Sequence, residues 1–309
     1  MRQMWFGLAA LLLVTGLAVS AHGAGAQTSP TPIPLPDPEL GSVDLDAAAA
    51  IDLAALPLVP DIGERALALY RAGLTRGHDP FTFAKVGDCM TDNPYFLIPI
   101  GAGEYALGEY DDDLAPVIAH YSQGEPDPFG RKSQASAGGF NAASILDSLW
   151  ANPQHCEPGE TPLACEFRTM RPSVALIMFG TNDVYYLDEA QFDYFLRSIV
   201  VETVRQDVLP VLSTFPHRPE YPEKSLLYNQ LVAQIAHDYD VPLINLWLAL
   251  DDLPNKGVDP EDTTHLTTPA GGAACYFIGD NLEAGFTVRN LLALQTLGAL
   301  LDAAAADEE

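Results

Sequence analysis

Residues 174–183, VALIMFGTND, join an apolar run to a polar turn that begins with glycine. Runs of this length and composition are typical of strands in parallel sheets buried on both faces. Three further runs have the same character, and these are Phe81 to Val86, Val208 to Phe215 and Pro242 to Leu250. Each ends in a polar or proline-containing turn, so the chain is predicted to contain four separated, buried strands.

Helical patterns lie between these runs. The segment Gly63 to Ala72 resembles a helix, and Leu187 to Gln206 and Pro222 to Tyr239 repeat apolar side chains at helical spacing. A last helix is expected over about Thr287 to Ala306, with a leucine stripe facing the core. Strands that alternate with helices predict an α/β fold with a parallel sheet covered by helices. Ligands bind beyond the carboxyl ends of such strands, so the turns after them are the candidate site.

The overall composition limits the possible partners. The 309 residues include 15 Lys and Arg against 42 Asp and Glu, a formal charge of −27. A surface of this sign repels nucleic acid and anionic membranes, and we expect neither as a partner. Hydrophobic content of 48% with 18% charged residues is typical of a folded protein.

The first residues predict export. Arg2 precedes a 15-residue apolar run from Trp5 to Val19, and the small residues Ala24-Gly25-Ala26 follow. This order is typical of a secretory signal peptide, here residues 1–26, and the run is shorter than the roughly 20 residues that a spanning helix needs. An uncleaved anchor is the alternative. Cleavage would remove 26 of the 309 residues and Arg2, leaving 283 residues with a charge of −28. We therefore expect a secreted or otherwise extracytoplasmic protein without a stable membrane anchor.

The mature chain is predicted to have two parts. Residues 27–60 are rich in proline and poor in periodicity, which indicates a linker or an arm lying on the surface. Residues 61–309 are predicted to form the folded domain. Within this domain we expect Asp111-Asp112-Asp113 to lie in a solvated loop, because their spacing is not that of a calcium loop.

Export makes disulfides the first interpretation of the four cysteines. Cys156 and Cys165 lie nine residues apart in a segment rich in proline and glycine, and a local disulfide fits that spacing. A metal site is the weaker alternative, because no second close pair of ligands accompanies them. Cys89 and Cys275 are then either free or paired with each other.

Four polar blocks carry a resemblance to a known family. In chain order they are Gly87-Asp88-Cys89, Ala137-Gly138-Gly139-Phe140-Asn141, Gly180-Thr181-Asn182-Asp183 and Asp262-Thr263-Thr264-His265. Over about Phe81 to Leu301 the chain resembles the SGNH (GDSL-type) hydrolase superfamily. The resemblance implies a three-layer α/β/α sandwich and hydrolysis of ester bonds, whether in lipid, acyl or acetyl-carbohydrate esters. It implies small-molecule or carbohydrate substrates, and the mechanism requires no cofactor or metal.

Acyl transfer needs a nucleophile, a base, a group that orients the base, and donors for the oxyanion. His265 is the candidate base, and Asp262, three residues earlier, can hold its other ring nitrogen. The side chain of Asn182 and the backbone N–H of Gly139 are the candidate oxyanion donors, with Gly138 a weaker alternative to Gly139. Each such donor can lower the barrier by roughly 3 kcal/mol.

The nucleophile position departs from the family pattern, because Cys89 stands where serine is usual. Three interpretations are open. Cys89 is a working thiol nucleophile of an esterase, or it marks an inactive hydrolase whose pocket binds a glycan or acyl ligand, or it is oxidised with Cys275. The sequence makes no prediction of the oligomeric state.

Overall fold

The computed structural model describes residues 39–306. The predicted signal peptide, residues 1–26, and the first part of the proline-rich arm lie outside the described residues. Cleavage near Ala26 and export therefore stay predictions. Within residues 39–306, no helix has the length and apolar character needed to cross a membrane.

A parallel sheet of four strands forms the centre of the described chain, in the order β1-β2-β3-β4. The strands are β1 Asp79–Gly87, β2 Pro172–Met178, β3 Leu209–Ser213 and β4 Leu243–Ile244. Every residue of β2 and β3 is buried, which explains why their sequences are continuous apolar runs instead of alternating ones. The predicted α/β fold with a central parallel sheet is confirmed.

Helices connect the strands and flank the sheet. Those of residues 39–306 are α1 Leu45–Ala49, α2 Glu64–Thr75, α3 Ile98–Gly101, α4 Asp111–Tyr121, α5 Pro162–Met170, α6 Asp183–Tyr186, α7 Glu189–Arg205, α8 Pro222–Tyr239, α9 Leu246–Ala249 and α10 Gly285–Ala306. Helices α4 and α5 pack against β1, and α7 and α8 pack against β3. The expected leucine stripe of α10 lies in the core, where Leu294 and Leu297 are buried.

Two sequence-based predictions are wrong in detail. The fourth strand contains only Leu243–Ile244, because the side chain of Asn245 accepts from the backbone of Leu248 and begins helix α9. The triple Asp111-Asp112-Asp113 is not a solvated loop but the first turn of α4. Carboxylates are favourable there, since the amino end of a helix carries a partial positive charge.

The described part of the predicted arm, residues 39–60, lies against the folded domain. Ala48 is buried, and Gln230 of α8 donates to the carbonyl oxygens of Ala49 and Ile51. The backbone N–H of Asn245 donates to the carbonyl oxygen of Leu58 at 3.0 Å. This part of the arm therefore covers α8 and the end of β4.

The predicted disulfide is present between Cys156 and Cys165, whose Cα atoms are 5.2 Å apart. Cys165 lies in α5, which begins at a Thr161 cap and a proline in its first turn. The disulfide therefore joins the preceding loop to this helix. Cys89 and Cys275 are both free thiols, so the interpretation in which they are paired is wrong.

Candidate active site

Three of the four blocks meet at the carboxyl edge of the sheet. Gly87, at the end of β1, is in register with Met178, at the end of β2. On its other side Gly87 forms a parallel bridge to Ser136, and its N–H donates to the carbonyl oxygen of Ala135 at 3.0 Å. Ala135 and Ser136 thus continue the sheet beyond β1, immediately before the block Ala137 to Asn141, which we call the glycine block. This arrangement places the Cys89 turn between the glycine block and the Gly180-Thr181-Asn182-Asp183 turn.

The turn that carries Cys89 is held by its own backbone and by Asp88. The buried carboxylate of Asp88 accepts from the N–H of Met90 at 3.0 Å. The backbone carbonyl oxygen of Asp88 accepts from the N–H groups of Thr91 and Asp92. Gly87 permits the turn, because a Cβ at this position would overlap the Thr91 hydroxyl and the Met178 carbonyl. Cys89 is half-buried at the edge of this turn.

The surroundings of Cys89 favour the neutral thiol. The pKa of Cys89 is raised to about 12, mainly by burial and in part by the negative charges of Asp88 and Asp262. Low-pKa catalytic cysteines owe their ionisation to nearby cations or helix amino ends, whereas burial and the carboxylates of Asp88 and Asp262 oppose the ionisation of Cys89. At neutral pH the group in the nucleophile position is therefore a thiol that must lose its proton to a base, as a serine hydroxyl would.

A buried arginine from α10 supports the turn from behind. Arg289 donates to the carbonyl oxygen of Met90 at 2.6 Å and to the Thr91 hydroxyl at 2.8 Å. Its guanidinium carbon lies 3.7 Å from the centre of the Phe96 ring. Burial lowers the pKa of Arg289 to about 9, while the nearby carboxylate of Asp88 raises it. Sequence reasoning missed this residue: an arginine inside the apolar stretch of α10 indicates a buried polar contact, but the sequence does not show its partner.

A second buried carboxyl, Asp183, joins two of the blocks. It accepts from the N–H of Ala142 at 2.7 Å and from the N–H of Gly180 at 2.8 Å. Burial raises the pKa of Asp183 to about 7, and the negative charge of Asp88 raises it as well. Gly180 has φ +135°, and a Cβ there would overlap the Phe215 ring, so the turn requires glycine. These contacts fix the glycine block relative to Asn182.

The two predicted oxyanion donors lie together. One N–H of the Asn182 side chain donates to the carbonyl oxygen of Phe140 at 2.7 Å, immediately after Gly139. The second N–H of this amide remains for another acceptor. Gly139 is exposed with φ +85°, and the space where a Cβ would stand is open. The Asn182 side chain thus holds the residue that follows Gly139, and Gly138 differs from Gly139 in having no positive φ.

Asp262 and His265 form the predicted pair. Nδ1 of His265 donates to Oδ2 of Asp262 at 2.7 Å, which leaves Nε2 as the basic nitrogen. The Thr264 hydroxyl donates to the other carboxylate oxygen at 2.5 Å. The hydrogen bonds from Thr264 and His265 lower the pKa of Asp262, so the carboxylate stays charged. The side chains of His265 and Asp262 are 30% and 54% exposed, so the pair lies at the surface of the site.

The pair lies within electrostatic range of the Cys89 turn. The negative charge of Asp262 contributes to the raised pKa of Cys89, and the positive form of His265 lowers the pKa of Asp88. In the described part of the chain no hydrogen bond joins the Cys89 thiol to His265. The charges of Asp262 and His265 therefore act on Cys89 and Asp88, which places the fourth block near the Cys89 turn.

Sequence reasoning missed Arg218 and Glu220. They connect the loop of residues 259–265, which we call the histidine loop, to the turn after β2 that contains Thr181. The Thr263 hydroxyl donates to the carboxylate of Glu220. Arg218 lies 3.4 Å from the same carboxylate and donates to the carbonyl oxygen of Thr181. Glu220 and Arg218 thus link residues on either side of the site, one beside Asp262 and the other beside Asn182.

A metal site has little support among residues 39–306. The one group of possible ligands found there contains Cys156, Glu160 and Cys165. Both cysteines are in the disulfide, so neither supplies a thiolate. The weaker interpretation of these cysteines as metal ligands is not favoured.

Comparison with known proteins agrees with the motifs. Residues 135–271 match the GDSL-like Lipase/Acylhydrolase family. This match supports the SGNH/GDSL superfamily and, with it, hydrolysis of ester bonds. No curated protein matches the chain significantly.

Several solved structures are similar in fold. A GDSL-like lipase from Bacteroides thetaiotaomicron has a TM-score of 0.42 and 15% identity, with 75% of this chain and 98% of that chain covered. An acetylxylan esterase from Geobacillus stearothermophilus has a TM-score of 0.44 and 16% identity, with 70% of this chain and 94% of that chain covered. A psychrotrophic esterase from Pseudoalteromonas has a TM-score of 0.45 and 13% identity, with 72% of this chain and 98% of that chain covered.

Proposed function

We propose that this chain is a secreted SGNH/GDSL-type hydrolase of ester bonds in which Cys89 is the nucleophile. His265 is the general base, Asp262 orients it, and Gly139 and Asn182 bind the oxyanion. The observation that carries the proposal is the 2.7 Å contact between Asp262 and His265 at the edge where the Cys89 turn lies. A charged carboxylate on Nδ1 directs the basic Nε2 away from the loop and stabilises the imidazolium that forms.

In the acylation step, Nε2 of His265 removes the thiol proton as the Cys89 sulfur attacks the ester carbonyl carbon. The carbonyl oxygen becomes an oxyanion and accepts from the Gly139 N–H and the free Asn182 N–H. When the tetrahedral intermediate collapses, the bond to the alcohol oxygen breaks. The proton on His265 passes to this oxygen, which leaves a thioester on Cys89 and a free alcohol.

In the deacylation step, His265 removes a proton from water, and the resulting hydroxide attacks the thioester. The second tetrahedral intermediate collapses with cleavage of the carbon–sulfur bond. The proton on His265 returns to sulfur, which releases the carboxylic acid and restores the neutral thiol. Because the pKa of Cys89 is raised to about 12, the thiol is neutral before acylation and loses its proton only as His265 accepts it.

The proposed location outside the cytoplasm rests on the sequence of residues 1–26 and on two supporting features. The Cys156–Cys165 disulfide is of a kind that persists in oxidising compartments. The charge of −27 suits a protein that stays in solution.

A second candidate function is a binding module with the same fold and no turnover. The absence of a Cys89–His265 hydrogen bond among the described residues favours it, as does the raised pKa of Cys89. Such a module would hold a glycan or acyl ligand at the Gly139–Asn182 pair without forming a thioester.

The two functions are separated by hydrolysis of short-chain aryl esters with purified protein under reducing conditions. The esterase requires a measurable rate that Cys89→Ala abolishes. If the wild-type protein is inactive and Cys89→Ser gains activity, the protein is a binding module on a hydrolase framework. A rate that survives Cys89→Ala would show that the reaction does not use this thiol.

A further inference from the structure

Exposed aromatic rings lie on the loops that form the candidate site. Tyr185 is 65% exposed, Tyr186 is 62% exposed and Trp150 is 55% exposed. A half-buried fourth ring, Tyr221, contacts Tyr185 with 6.3 Å between ring centres. We call Trp150, Tyr185, Tyr186 and Tyr221 the aromatic rim. Large apolar side chains that remain exposed together are typical of binding surfaces.

Trp150 is connected to the oxyanion donors through one residue. Its ring packs edge-on against Phe140, with centres 5.9 Å apart and planes at 79°. Phe140 follows Gly139 in the chain, and its carbonyl oxygen accepts from the Asn182 side chain. Trp150 therefore packs on the residue that follows Gly139, one of the two proposed oxyanion donors.

The three tyrosines are connected to the site by the other two loops. Tyr185 and Tyr186 lie in α6, whose first cap is Asn182, and both of their N–H groups donate to its carbonyl oxygen. Tyr221 follows Glu220, which accepts from Thr263 in the histidine loop. All four rings are thus fixed to residues that neighbour the proposed catalytic groups.

The polar groups beside these rings are acceptors and carboxylates. Glu220 and Asp262 are both substantially exposed, with side-chain exposures of 45% and 54%. Two cations lie near these rings: Arg218 is buried and paired with Glu220, and the ammonium of Lys224 donates to the carbonyl oxygen of Leu187 at 2.7 Å. An anionic lipid surface or an acidic polymer would meet the exposed carboxylates of Glu220 and Asp262 in a chain with a formal charge of −27, so a neutral ligand is favoured.

A neutral carbohydrate has the chemistry that this surface can bind. The C–H face of a sugar ring is apolar and slightly positive, and it packs on the electron-rich face of an aromatic ring. Its hydroxyl groups donate to carboxylates such as Glu220. An acyl chain, in contrast, is best held in a concave apolar pocket, not against rings that are more than half exposed.

We infer that the aromatic rim binds the sugar rings of a neutral polysaccharide that carries the ester, so that the acyl group on a sugar hydroxyl reaches Cys89. This inference rests on the proposed function for the position of the reacting ester. The binding of the carbohydrate does not require turnover, and it can therefore be tested separately.

The kinetic test compares partially acetylated xylan with 4-nitrophenyl acetate as substrates. We expect Trp150→Ala and the double variant Tyr185→Ala/Tyr186→Ala to lose about fivefold to tenfold more kcat/KM on the polymer than on the aryl ester, mainly through KM. Tyr194→Ala is the matched control, because Tyr194 is an exposed tyrosine of α7 whose ring contact is to Phe195. This control should leave kcat/KM unchanged on both substrates.

The binding test uses Cys89→Ala, which cannot form a thioester, in native gels that contain soluble acetylated xylan. Retardation that the rim variants lose and Tyr194→Ala keeps supports the inference. It is overturned if the polymer causes no retardation, or if the protein instead binds vesicles of neutral phospholipid. Equal losses on both substrates would overturn it as well. If no ester is hydrolysed by the reduced wild-type protein, the proposed function fails, and the gels still decide whether the rim binds carbohydrate.

Discussion

Oδ2 of Asp262 lies 2.7 Å from Nδ1 of His265, within a single loop and three residues apart in sequence. The loop is closed by its own backbone, since the N–H of His265 donates to the carbonyl oxygen of Asp262 and Asp259 donates to that of His265. The pair is therefore formed locally. Whether His265 can act on Cys89 depends on how the rest of the chain positions this loop beside the Cys89 turn.

The first prediction concerns the orientation of the base. Asp262→Asn should lower kcat on an aryl ester by about a hundredfold or more with little change in KM, because the amide no longer stabilises the imidazolium. Steady-state kinetics measure this effect. Asp252→Asn, an exposed acid after α9, is the matched control and should leave kcat unchanged. A loss of less than about threefold would mean that Asp262 does not act through His265.

The second prediction concerns the link between the two sides of the site. Glu220→Gln weakens the contacts with Thr263 and Arg218, so the histidine loop loses a fixed position. We expect kcat to fall about tenfold and KM to change little. Glu223→Gln, an acid in the first turn of α8, is the control. A merely structural role would lower the melting temperature without this split between kcat and KM.

The position of this link could not be predicted from the sequence. Arg218 lies 37 residues from Thr181, and Glu220 lies 43 residues from Thr263, so neither contact leaves a local pattern. The strands β1 to β3 were predictable because buried parallel strands are continuous apolar runs with polar turns. The fourth strand was overestimated, since Asn245 begins a helix inside an apolar segment.

The catalytic candidates divide in the same way. Asp262 and His265 could be predicted because their spacing and their contact both lie in one loop. The partner of the buried Arg289 could not, because its contact with Met90 spans 199 residues and depends on how α10 packs in the folded chain. The raised pKa of Cys89 has its main cause in burial, which the sequence around the cysteine does not show.

The third prediction concerns the support behind the nucleophile turn. Arg289→Met leaves the Met90 carbonyl oxygen without its donor and the buried Asp88 without a nearby cation. We expect the free energy of unfolding to fall by about 3 kcal/mol. Denaturant titration measures this change. Arg76→Met removes an exposed ion pair with Asp207 and should cost less than about 1 kcal/mol. Equal effects of the two variants would contradict the proposed support.

The fourth prediction is a pH dependence. Burial raises the pKa of Cys89 to about 12, so the thiolate fraction is very small at pH 7 and rises about tenfold for each pH unit up to that value. Alkylation of Cys89 by iodoacetamide, followed by peptide mass analysis, should be much slower at pH 7 than that of a cysteine peptide. Its rate should still be rising at pH 10. Rapid alkylation with a plateau below pH 8 would indicate a preformed thiolate–imidazolium pair instead.

The central claim is that Cys89 forms a thioester during turnover. The most direct test mixes the reduced protein with 4-nitrophenyl acetate, quenches in acid within the first turnovers and measures the mass of the peptide that contains Cys89. We predict the addition of one acetyl group to this peptide in the wild-type protein, and its absence in Cys89→Ala together with the loss of hydrolysis. Hydrolysis that continues in Cys89→Ala, or turnover by the wild-type protein without an acetyl group on Cys89, would contradict the account.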